Sequence, residues 1–211
     1  INNYIVGPNV DLSNADLTGA DLNGVNLTGA NLQNADLTGA DLTNAILTGA
    51  NLFGADLIGA NLTNASITGN PGIFSRADLS GANLTGLDLS GLDLYQASLS
   101  GAIGLGVDAI KGSDIRKGDL SDLDLSGFNL QGTHLSETNL SGVSSGGLIG
   151  TPSLPSGYSI INGYILGPNV DLTNADLTFF DLTGIDLTGV TLTGATLTGV
   201  SGSITGTPTS M

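Results

Sequence analysis

"ADLTGADLNGVNLTGANLQNADLTGADLTN" occupies residues 15–44, and its spacing decides how the chain folds. Leu stands at 17, 22, 27, 32, 37 and 42, always five apart. Outward from this stretch, Leu or Ile recurs from Leu12 to Ile67 without a miss. Two positions before each stands Ala or a small aliphatic, as at Ala15, Ala20, Val25 and Ala30. Between the pair sits Asp or Asn (Asp16, Asp21, Asn26, Asn31), and two positions after Leu comes Gly or Asn (Gly19, Gly24, Gly29, Asn34).

A five-residue period fits neither a helix at 3.6 residues per turn nor an open strand at two. It also differs from six- and nine-residue β-helix repeats and from leucine-rich spacing. It works where each unit forms one side of a square coil. Leu and Ala then point inward, Asp/Asn and Thr/Ser outward, and a corner residue with positive φ turns the chain. Gly and Asn tolerate that conformation best, which accounts for their alternation at one fixed position.

The run Ala-(Asp/Asn)-Leu-x-x closely resembles the pentapeptide-repeat family, over blocks 10–69, 77–103, 118–143 and 170–200. The resemblance implies an all-β fold, a right-handed quadrilateral parallel β-helix with four units per coil. Residues twenty apart would stack, Leu17 over Leu37 over Leu57 and Ala20 over Ala40 over Ala60. Roughly seven coils at about 4.8 Å spacing give a rod on the order of 35 Å long, with stability set between neighbouring coils.

Composition agrees with a narrow solenoid. Of 211 residues 40% are hydrophobic, yet only 4% are aromatic and none is Trp, so apolar volume is spread over many thin layers. There is no Cys, hence no disulfide framework, thiolate metal site or Cys nucleophile. No run of about 18 apolar residues is present to span a bilayer as a helix, and the N-terminus lacks a basic, signal-like segment. The net charge of −15 argues against nucleic acid as a partner.

The period breaks at "GNPGIFSRA" (69–77), "IGLGVDAIKGSDIRKG" (103–118) and "SSGGLIGTPSLPSGYSIINGYILGPN" (144–169). The expected organisation is a β-helix over 1–143 with insertions near 69–77 and 103–118, an inter-module linker with a hairpin over 144–169, and further coils with the start of another linker over 170–211. Arg76 falls in the first break and Lys111, Arg116 and Lys117 in the second, so every cation lies in an interruption. Either the insertions escape the repeat's compositional rule, or these loops reach the acidic face of the rod or of a neighbour. In the third break, Asn162-Gly163 between "YSII" and "YIL" predicts a two-residue hairpin turn.

"INGYILGPNVDLTNADL" (161–177) nearly repeats "INNYIVGPNVDLSNADL" (1–17), and "SGSITGTPTSM" (201–211) parallels "SGGLIGTPSL" (145–154). The expectation is a piece of a longer tandem array. With Ile1 as its first residue, a signal or a longer N-terminal region is expected to have been removed.

No catalytic, cofactor-binding or metal-binding residue and no small-molecule substrate is expected. His134 takes an outward Asp/Asn position with no second His or Cys, and Glu137 is the only Glu. Stacking places Asp16, Asp36 and Asp56 in one outward column and Asp21 and Asp41 in another. Such columns offer oxygen ligands for Ca²⁺, but from a flat face without an enclosing loop. The Ser and Thr hydroxyls have no base partner, and "GLG" (104–106) lacks the Lys-Ser/Thr of a phosphate loop.

Two functions remain. One is a non-enzymatic, self-associating acidic rod in an extracellular or cell-surface stalk, filament or fibre. The other follows from the family resemblance, which implies for some members DNA mimicry and binding to a type II topoisomerase such as gyrase. Replacing a central Leu tests the square coil: Leu37→Asp buries an unpaired charge, and the melting curve should show a loss of several kcal/mol. An unchanged melting temperature contradicts the model.

Overall fold

Five backbone N–H groups per unit must be satisfied, and the unit 36–40 shows how the chain does it. Asp36 N–H donates to Ala15 C=O at 2.9 Å, in the coil before. Leu37 N–H donates to Asp56 C=O at 2.7 Å and Gly39 N–H to Ile58 C=O at 2.9 Å, both in the coil after. Ala40 N–H closes a turn on Leu37 C=O at 2.9 Å. The fifth, Thr38 N–H, is taken by the side chain of Asp36, Oδ1 accepting at 3.0 Å. The unit is thereby complete, and it repeats on four sides to build the expected coil.

In the computed structural model, which describes residues 4–69 and 73–210, the outward positions pair in parallel. One column runs Asp16–Asp36–Asp56–Asp78–Ser98–Asp119–Asn139, another Asp21–Asp41–Asn61–Asn83–Ile103. Pairs in the first three coils lie twenty apart, as the sequence requires. Leu37, Leu42, Ala40 and Ala45 are fully buried, and one apolar core extends from Leu12 to Leu192. The expectations that rest on Ile1, on residues 70–72 and on Met211 lie outside the described residues. No helix among the described residues is long and apolar enough to cross a membrane.

Corner residues have positive φ wherever the period predicts them, 57° at Asn14, 54° at Asn34 and 65° at Gly39. With the i to i+3 bond that closes each corner, this is the geometry of a type II turn, whose third residue needs φ > 0.

The interruptions are narrower than their sequences suggest. Asp56 pairs with Asp78, so the first adds two residues, and beyond it "IFSRA" (73–77) is an ordinary side. There Phe74 fills the Leu position, fully buried, and Arg76 is the corner at φ 62°. Asp93 pairs with Asp114, which leaves one extra residue in the second. Ile110 and Ile115 stand in for Leu, Ser113 and Gly118 for Ala, and Lys117 is another corner at φ 58°. Coil pairings enter the third segment through Asn129–Ile149 and His134–Ser153 and leave it through Ser144–Asp171.

Between those pairings a hairpin projects: β1 (Ser159–Ile161) pairs antiparallel with β2 (Tyr164–Leu166). Asn162 and Gly163 form its turn with φ of 48° and 81°, both positive as a type I′ turn demands. Ile165 and Leu166 belong to the same core as Val143 and Val170. Because the interruptions also build coils, the solenoid has about nine turns and a length on the order of 45 Å at the usual strand spacing, longer than the seven coils expected.

Two glycines separate strain from crowding. Gly127 has φ 73° with open space around it, whereas a Cβ on Gly150, at φ 90°, would lie 2.5 Å from Gln131 N. Gly127→Ala should therefore lower stability by about 1 kcal/mol and Gly127→Asn by less. Gly150→Ala should cost about 3 kcal/mol or more, because backbone must move. Chemical denaturation of the three variants checks this order.

Candidate functional site

The exterior is where any function must reside, and its commonest group is the carboxylate. Asp16, Asp36, Asp41, Asp124, Asp171, Asp181 and Asp186 each accept the N–H two positions on. This Asx turn supplies the donor that the coil itself leaves unanswered. Asn in the same positions does so too, as Asn26 does for Thr28 and Asn61 for Thr63.

Asn adds something Asp lacks, a side-chain donor. Asn31 Nδ2 donates to Asp11 Oδ1 at 3.0 Å, Asn139 Nδ2 to Asp119 Oδ1 at 3.0 Å and Asn129 Nδ2 to Asp108 Oδ1 at 2.9 Å. The mixture of acid and amide along a column thus links coils sideways and separates like charges. The sequence shows Asp and Asn as alternatives at one outward position and does not show this donor role. The signal was present in the recurring Asp/Asn-Leu-Thr/Ser spacing, which places a capped N–H on the third residue.

The cations are not in free loops. Three of the four stand at one edge of the rod, on the side lined by Phe53, Tyr95 and His134. Arg76 lies over the Phe53 ring at 5.7 Å and Arg116 over the Tyr95 ring at 6.0 Å. Arg116 also holds Asp114 through three side-chain contacts, Nε to Oδ1 at 2.9 Å and to Oδ2 at 3.1 Å, and Nη2 to Oδ2 at 2.6 Å. Lys117 Nζ lies 3.8 Å from Glu137 Oε2, one coil further on. His134 is exposed and stacks beside Asp114, its partner in the column. The stack therefore brings His134 and Glu137 beside Arg116 and Lys117, from which they are distant in sequence, while Lys111 stands on another side.

The Arg116, Lys117 and Glu137 side chains of that gathering are exposed. Lys111 instead borders an open groove of about 610 Å³ with Asp88, Asp108 and Val107. Among the described residues no three or more His, Asp or Glu side chains are grouped to hold a metal ion. Every buried side-chain polar atom among them has a partner. Chemically, then, the surface offers ranked carboxylates, amides and hydroxyls already engaged with backbone, plus one cationic and aromatic edge.

A family model described as pentapeptide repeats matches residues 9–44, 45–70, 73–103, 119–144 and 169–201. No curated protein sequence matches the chain. Among solved structures, a trypsin-treated form of QnrB1, a plasmid-mediated fluoroquinolone resistance protein, is 19% identical with a TM-score of 0.50, covering 93% of this chain and 91% of that one. HetL, a pentapeptide repeat protein involved in heterocyst differentiation regulation from the cyanobacterium Nostoc sp., is 23% identical with a TM-score of 0.47, covering 92% and 87%. A pentapeptide repeat protein from the Arabidopsis thaliana thylakoid lumen is 30% identical over 56% of this chain and 66% of that one, with a TM-score of 0.27. At these identities the likeness to QnrB1 concerns the fold alone.

The capping bonds make an acid-sensitivity prediction. Hydrogen bonds from Thr38, chiefly its N–H, hold Asp36 below the ordinary carboxylate value. Thr43, chiefly through its hydroxyl, does the same for Asp41, and Thr178 and Thr183, through their hydroxyls first, for Asp176 and Asp181. A group lowered in the fold contributes stability that is present above its unfolded value, about 3.9, and lost as pH falls through the lowered one. The melting temperature should thus hold from neutral pH to about 5 and drop below about 4. Converting Asp36, Asp41, Asp176 and Asp181 to Asn keeps the acceptor without the titration, so the drop between pH 7 and pH 3 should shrink. An equal drop in parent and variant contradicts the capping role.

Proposed function

Because the chain belongs to the pentapeptide-repeat family and is a right-handed quadrilateral β-helix, we propose that it is a non-enzymatic structural rod, a unit of a stalk, filament or fibre. Members of this family are generally structural or binding proteins. One observation carries the reading: the outward side chains are engaged with the coil's own backbone and with each other from Asp11 to Asp186. A surface so committed suits persistence of shape better than chemistry on a substrate. The core supports it, since one apolar column passes through all three interruptions.

A second reading is a DNA mimic that binds a type II topoisomerase, favoured by the net charge of −15 arranged in straight Asp columns. Two features favour the rod. Asn and Ser interleave the acids along each column, as at Asn31, Asn51 and Ser98. The edge bearing Arg76, Arg116 and Lys117 places positive charge where a duplex would present phosphate.

A gyrase supercoiling assay separates the readings. The rod leaves supercoiling unchanged at micromolar protein. Inhibition that rises in proportion to added protein overturns the rod and supports the mimic.

A further inference from the structure

The side of the coil that carries Ile46, Ser66 and Asp88 loses its ladder partway along the solenoid. From Ile46 to Ser66 the regular set is made: Ser66 N–H donates to Ala45 C=O at 2.9 Å, Leu47 N–H to Ser66 C=O at 2.7 Å and Gly49 N–H to Thr68 C=O at 2.8 Å. At the next step, from Ser66 to Asp88, all three equivalents are absent. Asp88 N–H does not reach Ala65 C=O, Ile67 N–H does not reach Asp88 C=O, and Gly69 N–H does not reach Ser90 C=O. None of these three donors and three acceptors has another partner among the described residues.

The same two coils are joined on their other sides. On the opposite side Asp78 N–H donates to Ala55 C=O at 2.9 Å, Leu57 N–H to Asp78 C=O at 2.7 Å and Gly59 N–H to Ser80 C=O at 2.9 Å. Just before the opening, Leu62 N–H reaches Asn83 C=O and Asn64 N–H reaches Thr85 C=O, each at 2.8 Å. The coils therefore part along one side only. A groove of about 590 Å³ lies there, with 65–69 on one wall and Gly86, Asp88 and Ser90 on the other.

Unpaired backbone groups are uncommon in a folded chain, and a row of them is a template on which another strand pairs. Here both walls carry such a row. An extended backbone has donors and acceptors along both of its edges, so one strand can answer the two walls together. Charge selects its side chains. Asp88 is exposed in this groove, and hydrogen bonds from Ser90, its hydroxyl first, hold the carboxyl below the ordinary value, so it is ionised at neutral pH. No Lys or Arg among the described residues lines this groove. The neighbouring groove, of about 610 Å³, differs on both counts: Lys111 borders it, and Gly91 N–H still reaches Lys111 C=O at 2.9 Å. A net charge of −15 draws a basic partner toward the open side. Ala65, Ile67 and Leu92 supply the groove's apolar lining, which suits a strand whose residues alternate apolar and basic.

We propose that this groove is the docking site for a short extended segment of a basic partner protein, which adds as a strand between the sides 65–69 and 86–90. Its backbone answers the N–H groups of Ile67, Gly69 and Asp88 and the C=O groups of Ala65, Asp88 and Ser90. A Lys or Arg of the segment pairs with the Asp88 carboxylate. The site does not depend on the rod reading, because it needs only the opening between these two coils.

Residue-resolved amide exchange with the peptide acetyl-Val-Lys-Val-Lys-Val-amide tests it. In the free protein the N–H groups of Ile67, Gly69 and Asp88 should exchange at least about tenfold faster than those of Leu47, Gly49 and Ser66, their equivalents one coil earlier. Saturating peptide should slow the three by about tenfold or more and leave Leu57 and Gly59, on the opposite side, unchanged. A version N-methylated at alternate backbone nitrogens, and one with Glu in place of Lys, should each bind about tenfold more weakly or worse. Asp88→Asn keeps the acceptor for Ser90 N–H and should weaken binding of the lysine peptide several-fold. Slow exchange of the three amides in the free protein, a lysine peptide that leaves them unprotected, or equal binding of the N-methylated or glutamate peptide overturns the site.

Discussion

The bond from the N–H after each central Leu to the side chain one residue before it is the interaction on which the coil depends. A five-residue side with inter-coil bonds satisfies four N–H groups and leaves one facing solvent beside a tight corner. In the unit 36–40 that group is Thr38 N–H, answered by Asp36. The repeat's outward acid thus follows from the turn. So does its period: a shorter side has no room for both inward residues, and a longer one leaves a further N–H unanswered.

Corner conformation sets the second constraint. Arg76, Gln96, Lys117, Asp122, Glu137 and Phe179 all sit at positive φ where Gly or Asn would be more comfortable. Left-handed backbone costs such residues about 1 kcal/mol each. Exposed contacts such as Lys117 with Glu137 return less than that. All but Phe179 fall between Arg76 and Glu137, so the middle coils carry strain that the regular first coils avoid. In a solenoid, where each coil depends on its neighbours, the fully buried Phe74, Ile110 and Ile115 offset that strain locally.

Most of the fold was legible because the code is one of volume and polarity at fixed positions. The period gave the inward pair, the corners and the stack by twenty. The interruptions look wider in sequence than they are in the structure because their residues change identity while keeping the size or backbone conformation that each position demands. Phe74 does the work of Leu, Ser113 that of Ala, and Arg76 and Lys117 that of Gly. The ridge joining Arg116, Asp114, Tyr95 and His134 was out of reach for another reason. A single extra residue before Ile110 shifts the register to twenty-one, and only the three-dimensional stack shows which side chains then meet.

The two copies of "GPNVDL" (7–12 and 167–172) mark the boundary between what a sequence dictates and what a neighbour decides. Each fixes the same turn, and its upstream Tyr makes the same bond to the N–H twelve residues on. Burial does not follow from that. Val170 is buried in the core that includes Val143, whereas Val10 packs against that core only partly buried. In a globular domain a repeated sentence of this length would find two unrelated environments. In a solenoid every coil presents the same kind of face to the next, so the repeated sentence keeps its turn and its tyrosine bond wherever it stands, and its burial is set by the coil stacked on it.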